Sequence, residues 1–267
     1  MINWTNKVVV ISGAGSGIGR ALALELGHKG AHLALNDYDA NSLDASIQLL
    51  PSSCHVYKAV FDVSNEKAML QFALNVVDHF NYVDVLINNA GVAQEALYAD
   101  QISTKDFEWL LNINMWGTFY GCRAFLPFLK KRPESYIANI SSIFGMVGIP
   151  GISSYSVSKF AVRGFSESLL LEQRIQKSGV HVCCVHPGGI NTNIAQSARG
   201  ANTQKMAAFQ KNLKMPPKKA AQKILHGIAK KKATLLVGAD AYLIYYSNKF
   251  AKPLLRWAIM RQYLKMQ

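Results

Sequence analysis

Acidic residues almost disappear after residue 200. From there to the C-terminus Asp240 stands alone against 14 lysines and arginines, whereas residues 1–200 hold 15 basic and 15 acidic side chains. The whole net charge of +13 therefore belongs to the last quarter of the chain. Such a segment suits an anionic partner, whether membrane lipid, nucleic acid or an acidic substrate, or it is a solvated surface that aids solubility. Its lysines are scattered along helical patterns without a recognised nucleic-acid module, so no nucleic-acid partner is expected.

Cysteine is also scarce. Cys54, Cys122, Cys183 and Cys184 show neither metal spacing nor a disulfide framework, which excludes a disulfide scaffold and fits a reducing, cytoplasmic compartment. No metal site is expected. No run of eighteen apolar residues occurs, so no spanning helix is expected. The opening "MINWTNKVVVISG" has no basic region ahead of a long apolar core, so no signal peptide is expected. Repeats and low-complexity linkers are absent. With 50% hydrophobic and only 17% charged residues, 267 residues suffice for a globular chain with a sizeable core.

What is present is alternation. Apolar runs, "KVVVISG", "AHLALND", "HVYKAVFDV", "VDVLINNAG", "YIANISS", "VHVCCVHPGG" and "ATLLVG", are separated by stretches of helical period. Seven strands that are apolar on both faces, with helices between them, predict an α/β fold: a doubly wound parallel sheet of Rossmann type. One helical stretch is expected over residues 103–131 and another over 216–231. Residues 188–215 are polar, rich in small side chains and weakly periodic, and read as a mobile substrate loop. Residues 1–238 are expected to form the catalytic domain, and 239–267 a basic, amphipathic helical extension.

"SGAGSGIG", Ser12 to Gly19, joins the first strand to the first helix. Glycines there admit a pyrophosphate close to the backbone, and the helix N-terminus supplies unpaired N–H groups and a positive dipole end. Asp37 ends the second strand, where a carboxylate can accept from both adenosine ribose hydroxyls and repels a 2′-phosphate. No Lys or Arg lies within Gly13–Gly19, so NAD is expected over NADP. Farther along, Tyr155 and Lys159 stand four apart on a helical pattern, hence on one face. An ammonium beside a phenol is expected to lower the phenol's pKa and make it a general acid–base.

With these motifs in order, the chain resembles the short-chain dehydrogenase/reductase family over about Asn6 to Thr192. Gly13, Gly17 and Gly19 match its cofactor turn, with Ser12 where Thr is usual. Asp62-Val63 matches its adenine contact, Asn88–Gly91 its "NNAG" motif, and Pro187–Thr192 the segment that holds the nicotinamide amide. Asn114, Ser142, Tyr155 and Lys159 match its catalytic tetrad. The resemblance implies cofactor contacts from Gly13, Ser16, Gly17, Ile18, Gly19, Asp37, Asp62, Val63, Asn89, Ala90, Gly91, Tyr155, Lys159, Pro187, Gly188, Ile190 and Thr192.

It also implies an oxidoreductase that moves a hydride between a nicotinamide cofactor and an alcohol or ketone. A non-catalytic NAD(H)-binding sensor on the same fold is the alternative. Phe144, Met146, Val147, Ile149, Ile152, Ile190 and Ile194 are expected around the substrate and favour a hydrophobic one. The family's Gly-rich tetramer-forming tail is missing, so a homodimer is expected rather than a tetramer. For Tyr242 to Leu264 a helix is expected, with Leu243, Tyr246, Phe250, Leu254, Trp257 and Met260 along one face and Pro253 starting or kinking a second piece. That face is expected to meet the protein's own body, the cleft, a second subunit or a membrane surface.

Overall fold

The computed structural model describes residues 2–194, 198–200 and 213–264. The apolar runs form β1 (Val8–Ser12), β2 (His32–Asp37), β3 (Val56–Val60), β4 (Val85–Asn88), β5 (Ser135–Ile140), β6 (Val180–Pro187) and β7 (Thr234–Val237). They make one sheet in the order β3-β2-β1-β4-β5-β6-β7, parallel throughout. The helices are α1 (Gly17–Gly27), α2 (Ala40–Ile47), α3 (Glu66–Phe80), α4 (Thr104–Leu111), α5 (Gly117–Leu129), α6 (Ser153–Ile175), α7 (Pro217–Ala229), α8 (Ala239–Phe250) and α9 (Lys252–Leu264).

Side chains on a strand alternate between faces, and here the two faces bury separate cores. Val9 and Ile11 of β1 join Leu22 and Leu26 of α1 with Leu225 and Ile228 of α7 on one side. Val8 and Val10 face Phe72 and Val76 of α3, Phe125 and Leu129 of α5, and Leu169 of α6 on the other. At the sheet's N-terminal end the buried Asp84 accepts from Lys7 Nζ at 3.2 Å, Arg132 Nε at 3.0 Å and the Val8 N–H at 3.0 Å, which compensates its removal from water.

Two expectations need correction. β3 is not buried on both faces: it is an edge strand, and Val60 is exposed. The helix expected over 103–131 is broken by a π-helical turn at Asn112–Trp116 between α4 and α5. The second helical piece expected at Pro253 is present: the stretch Tyr242–Leu264 is two helices that part at Ala251, where Pro253 has no N–H to continue the first. Residues 195–197 and 201–212 of the expected substrate loop lie outside the described residues.

Candidate active site

β1 hydrogen-bonds to β2 on one side and β4 on the other, so the chain leaves neighbouring strands in opposite directions and a crevice opens at their C-terminal ends. The turn of Ser12–Gly19 lines it. Gly13 has φ +67° and Gly17 φ +52°, and a Cβ on Gly13 would stand 2.8 Å from Ala90 Cα. The Ser12 hydroxyl accepts from the N–H groups of Asn89 and Ala90, each at 3.1 Å, and Asn89 Nδ2 donates to the carbonyls of Ser12 and Gly13, each at 3.0 Å. The two motifs thus brace each other across β1 and β4. Ser16 precedes α1 without capping it through its side chain, and the first turn of α1 has no acid. The N–H groups and dipole of α1 therefore suit a pyrophosphate. Ile18 packs against the core below.

Asp37, almost wholly buried, stands against this turn. Its Oδ2 accepts the Gly15 N–H at 2.7 Å and its Oδ1 the Asp39 N–H at 3.1 Å, and lone pairs remain for further donors. Arg20, one residue beyond Gly19, lies beneath the same turn. Its guanidinium bonds the Gly15 carbonyl, Ser46 Oγ at 2.8 Å and the Ser42 carbonyl at 3.3 Å. A cation is thus close by, so the expected preference for NAD has the Asp37 carboxylate, and not a lack of positive charge, to rest on. Past β3, Asp62 Oδ1 accepts the Ser64 N–H at 2.9 Å, and buried Val63 packs against Gly117.

The candidate tetrad converges from three elements: the π-helical turn, the end of β5 and α6. Asn114 is fully buried in the π-helical turn, its Oδ1 accepting the Val92 N–H at 2.8 Å and its Nδ2 donating to the Val92 carbonyl at 3.0 Å and Ser158 Oγ at 3.1 Å. A π turn adds a residue to the helix and redirects that side chain. Lys159, 3% exposed, donates to the Ile140 carbonyl at 3.1 Å. Gly91 lies between the two: a Cβ there would be 3.2 Å from both Asn114 Oδ1 and Lys159 Nζ. Ser142 leads from β5 into a 3-10 turn at Ile143–Gly145 and hydrogen-bonds Tyr155 through its side chain. Tyr155 and Lys159 occupy the first turns of α6, with Lys159 Nζ 5.6 Å from the centroid of the Tyr155 ring.

Protonation differs from expectation. Burial pushes the Tyr155 phenol up to about 12, with the Ser142 hydrogen bond pulling downward, and burial pushes the Lys159 amine down to about 8. Enclosure disfavours the charged form of both groups. Here it outweighs the lowering of the tyrosine that was expected from the lysine.

The opposite wall follows β6. The Gly188 N–H donates to the Val237 carbonyl at 2.9 Å, and the Gly189 N–H donates to Asp240 Oδ2 at 2.5 Å. Thr192 comes up against Gly17, joining the Pro187–Thr192 segment to the glycine turn. Ile190 is a core residue, so only its backbone can serve a cofactor. Met146 and Val147 are likewise buried, Met146 in a cluster with Ile143 and Ala241. Phe144 remains beside the chemistry, its ring edge-on to Tyr155 at 6.5 Å between centroids. Ile149, Ile152 and Ile194 are half-buried. Sequence reasoning missed His186, a fully buried imidazole on β6 whose Nδ1 lies 2.9 Å from the Ser142 carbonyl. A lone histidine in an apolar strand carried no signal of that contact.

A family model described as "short chain dehydrogenase" matches residues 7–203. The Mycobacterium tuberculosis protein named "Putative oxidoreductase SadH" is 42% identical over 247 residues, covering 90% of this chain and 89% of the relative. A short chain dehydrogenase/reductase from Burkholderia phymatum, solved in complex with NAD, superposes with a TM-score of 0.88 at 25% identity, covering 95% and 96% of the two chains. An alcohol dehydrogenase from Thermococcus sibiricus, solved with 5-hydroxy-NADP, superposes with a TM-score of 0.74 at 25% identity, covering 86% and 95%.

Proposed function

The chain belongs to the short chain dehydrogenase family, and within that family of oxidoreductases we propose that it moves a hydride between NAD and a hydrophobic alcohol or ketone. The observation that carries this reading is the convergence of Ser142, Tyr155 and Lys159, with Asn114 behind them, at the C-terminal end of the sheet beside the glycine turn. The nicotinamide, when bound, supplies the hydride acceptor or donor at its C4 atom.

The residues present fit such a cofactor. The Gly13–Gly19 turn and the N-terminus of α1 hold its pyrophosphate, with Ser16, Ile18, Asn89, Ala90 and Gly91 around them. Asp37 accepts from the adenosine ribose, and Asp62 and Val63 border the adenine. Pro187, Gly188, Ile190 through its backbone, and Thr192 hold the nicotinamide amide. Lys159 binds the nicotinamide ribose. One structural neighbour was solved with NAD and another with an NADP derivative, so the preference for NAD rests on Asp37.

Tyr155 gives its hydroxyl proton to a carbonyl oxygen in reduction, or takes one from an alcohol in oxidation. Ser142 hydrogen-bonds that oxygen and fixes its place. Asn114 has one lone pair left on Oδ1, facing the space next to Lys159, and there it holds a water that links the lysine to solvent. Phe144, Ile149 and Ile152 give the cleft an apolar wall and favour a lipophilic substrate over a sugar. A homodimer is the proposed assembly. Free cysteines fit a reducing, cytoplasmic setting, and among the described residues no helix is long and apolar enough to cross a membrane.

The test is a panel of alcohols with NAD, followed at the NADH absorbance, for the wild type and Tyr155→Phe. Phe keeps the ring and removes the proton, so turnover should fall about 10²–10⁴-fold with NAD affinity retained. NADH binding without turnover of any alcohol would favour the sensor reading.

A further inference from the structure

We propose that the exposed side of α8 and α9 is a docking face for an anionic lipid bilayer and holds the rim of the cleft one helix thickness from the bilayer surface. This inference stands on the surface of these two helices and does not require the oxidoreductase chemistry.

α8 is apolar on two opposite sides. Ala241, Ile244 and Tyr245 pack inward with Ile143 and Met146, and Asn248 Nδ2 donates to the Met146 carbonyl at 2.9 Å. Tyr242, Leu243, Tyr246 and Phe250 point the other way and are exposed, Phe250 by 74%. α9 repeats the pattern. Leu255, Ile259 and Tyr263, four apart, are its half-buried side, while Leu254 (63% exposed), Trp257 (51%), Met260 and Leu264 form an exposed stripe. The residues expected on one apolar face are therefore the ones the fold leaves in water, because a different stripe makes the internal contacts. Eight large apolar side chains exposed within 23 residues amount to a surface patch of the kind that marks an interaction site.

Charge decides what covers it. Lys249, Lys252, Arg256 and Arg261 are all exposed on these helices, with Lys249 over the Phe250 ring at 5.3 Å and Arg261 over the Trp257 ring at 5.2 Å. The one acid of α8 and α9, Asp240, already accepts the Gly189 N–H. A two-fold contact between copies would bring this face against itself, cation against cation. An anionic leaflet complements it: the apolar stripe enters the acyl boundary, Trp257 and the tyrosines sit at headgroup level, and the basic residues meet lipid phosphates.

The inner side of α9 also reaches the loop ahead of α6. Tyr263 abuts Gly151, four residues before Tyr155, and its ring meets Tyr98 edge-on at 6.1 Å between centroids. Docking through the opposite side of α9 would thus hold the loop ahead of α6 one helix thickness from the bilayer.

The test is co-sedimentation of the full chain with vesicles of phosphatidylcholine alone or with 30 mol% phosphatidylglycerol. The expected result is partition onto the anionic vesicles at least tenfold above the zwitterionic ones at low salt, weakening as salt rises. The doubly substituted variants Leu254→Glu with Trp257→Glu, and Lys252→Glu with Arg256→Glu, should each lose tenfold or more while keeping the wild-type melting temperature. All four side chains are exposed. Full-length protein that stays in the supernatant with anionic vesicles at low salt overturns the proposal. So does undiminished binding by both variants. Dissociation of a wild-type dimer by Leu254→Glu with Trp257→Glu, read by sedimentation velocity without lipid, also overturns it and makes the face a subunit contact.

Discussion

His186 Nδ1 lies 2.9 Å from the carbonyl oxygen of Ser142, so a buried ring on β6 holds the backbone of the serine that hydrogen-bonds Tyr155. A carbonyl can only accept, so Nδ1 carries the proton. Burial pushes the imidazole down to about 4 from 6.5. His186→Leu leaves the carbonyl unpaired and should lower kcat/KM by about tenfold, the worth of roughly one hydrogen bond. His186→Asn, which keeps a donor near the Nδ1 position, should recover most of the loss. Steady-state kinetics of the two variants check this.

The same imidazole ties stability to pH. Its folded pKa is depressed, so the unfolded chain binds more protons between about pH 6.5 and 4. The stability is whole above 6.5 and falls as pH drops toward 4, by roughly 3 kcal/mol. Denaturant melts at pH 7.5, 6 and 4.5 should show this decline in the wild type and a shallower one in His186→Asn. Equal slopes would mean that the ring is not held neutral.

The hydrogen bond from Ser142 opposes the rise that burial imposes on Tyr155. In the alcohol-oxidising direction, kcat/KM should therefore climb with pH above neutrality as the phenol loses its proton. Ser142→Ala removes the opposing bond, so the climb should move to higher pH, with a loss of tenfold or more at pH 7.5. A profile measured from pH 6 to 11 decides. An unmoved profile would leave Ser142 with a steric role only.

Asp37→Ala removes both the ribose acceptor and the charge that opposes a 2′-phosphate, and Arg20 stays in place beneath the turn. The ratio of kcat/KM for NAD over NADP should shrink by at least tenfold, with NADP gaining in absolute terms. Asp37→Asn separates the two effects: it keeps an acceptor and drops the charge, so NADP should gain while NAD loses less. Equal use of both cofactors by the wild type would remove Asp37 from the specificity argument.

The strands were legible because each is an apolar run between turn residues, and the order of motifs carried the candidate site. What escaped depends on spatial relations that period cannot encode. The half-exposure of β3 follows from its place at the edge, and a strand's apolar run does not say how many neighbours it has. The π turn at Asn112–Trp116 keeps a helical composition. The apolar stripe of Leu254 and Trp257 has the spacing of a packed face, yet Leu255, Ile259 and Tyr263 pack instead, since two stripes share one helix and only tertiary contact chooses between them. Tyr155 was expected to be acidified because the lysine's charge shows in the sequence and the burial of both groups does not.

Gly91 isolates the geometry of the tetrad from its chemistry. Its hydrogen stands where a Cβ would be 3.2 Å from both Asn114 Oδ1 and Lys159 Nζ, closer than ordinary van der Waals contact. Its φ is not positive, so alanine is tolerated by the backbone there. Gly91→Ala should force the two side chains apart by a few tenths of an ångström and lower kcat by roughly tenfold, as small misplacements of reacting groups do. Stability should change little, because nothing polar is left unpaired. Gly164→Ala, inside α6 with nothing within 4 Å of the added carbon, is the matched control: it should stabilise by about 0.5–1 kcal/mol with kcat unchanged. Thermal melts and kcat for the pair separate the cases. If Gly91→Ala keeps full kcat, the spacing between Asn114 and Lys159 does not limit turnover, and the water placed between them has no part in proton delivery.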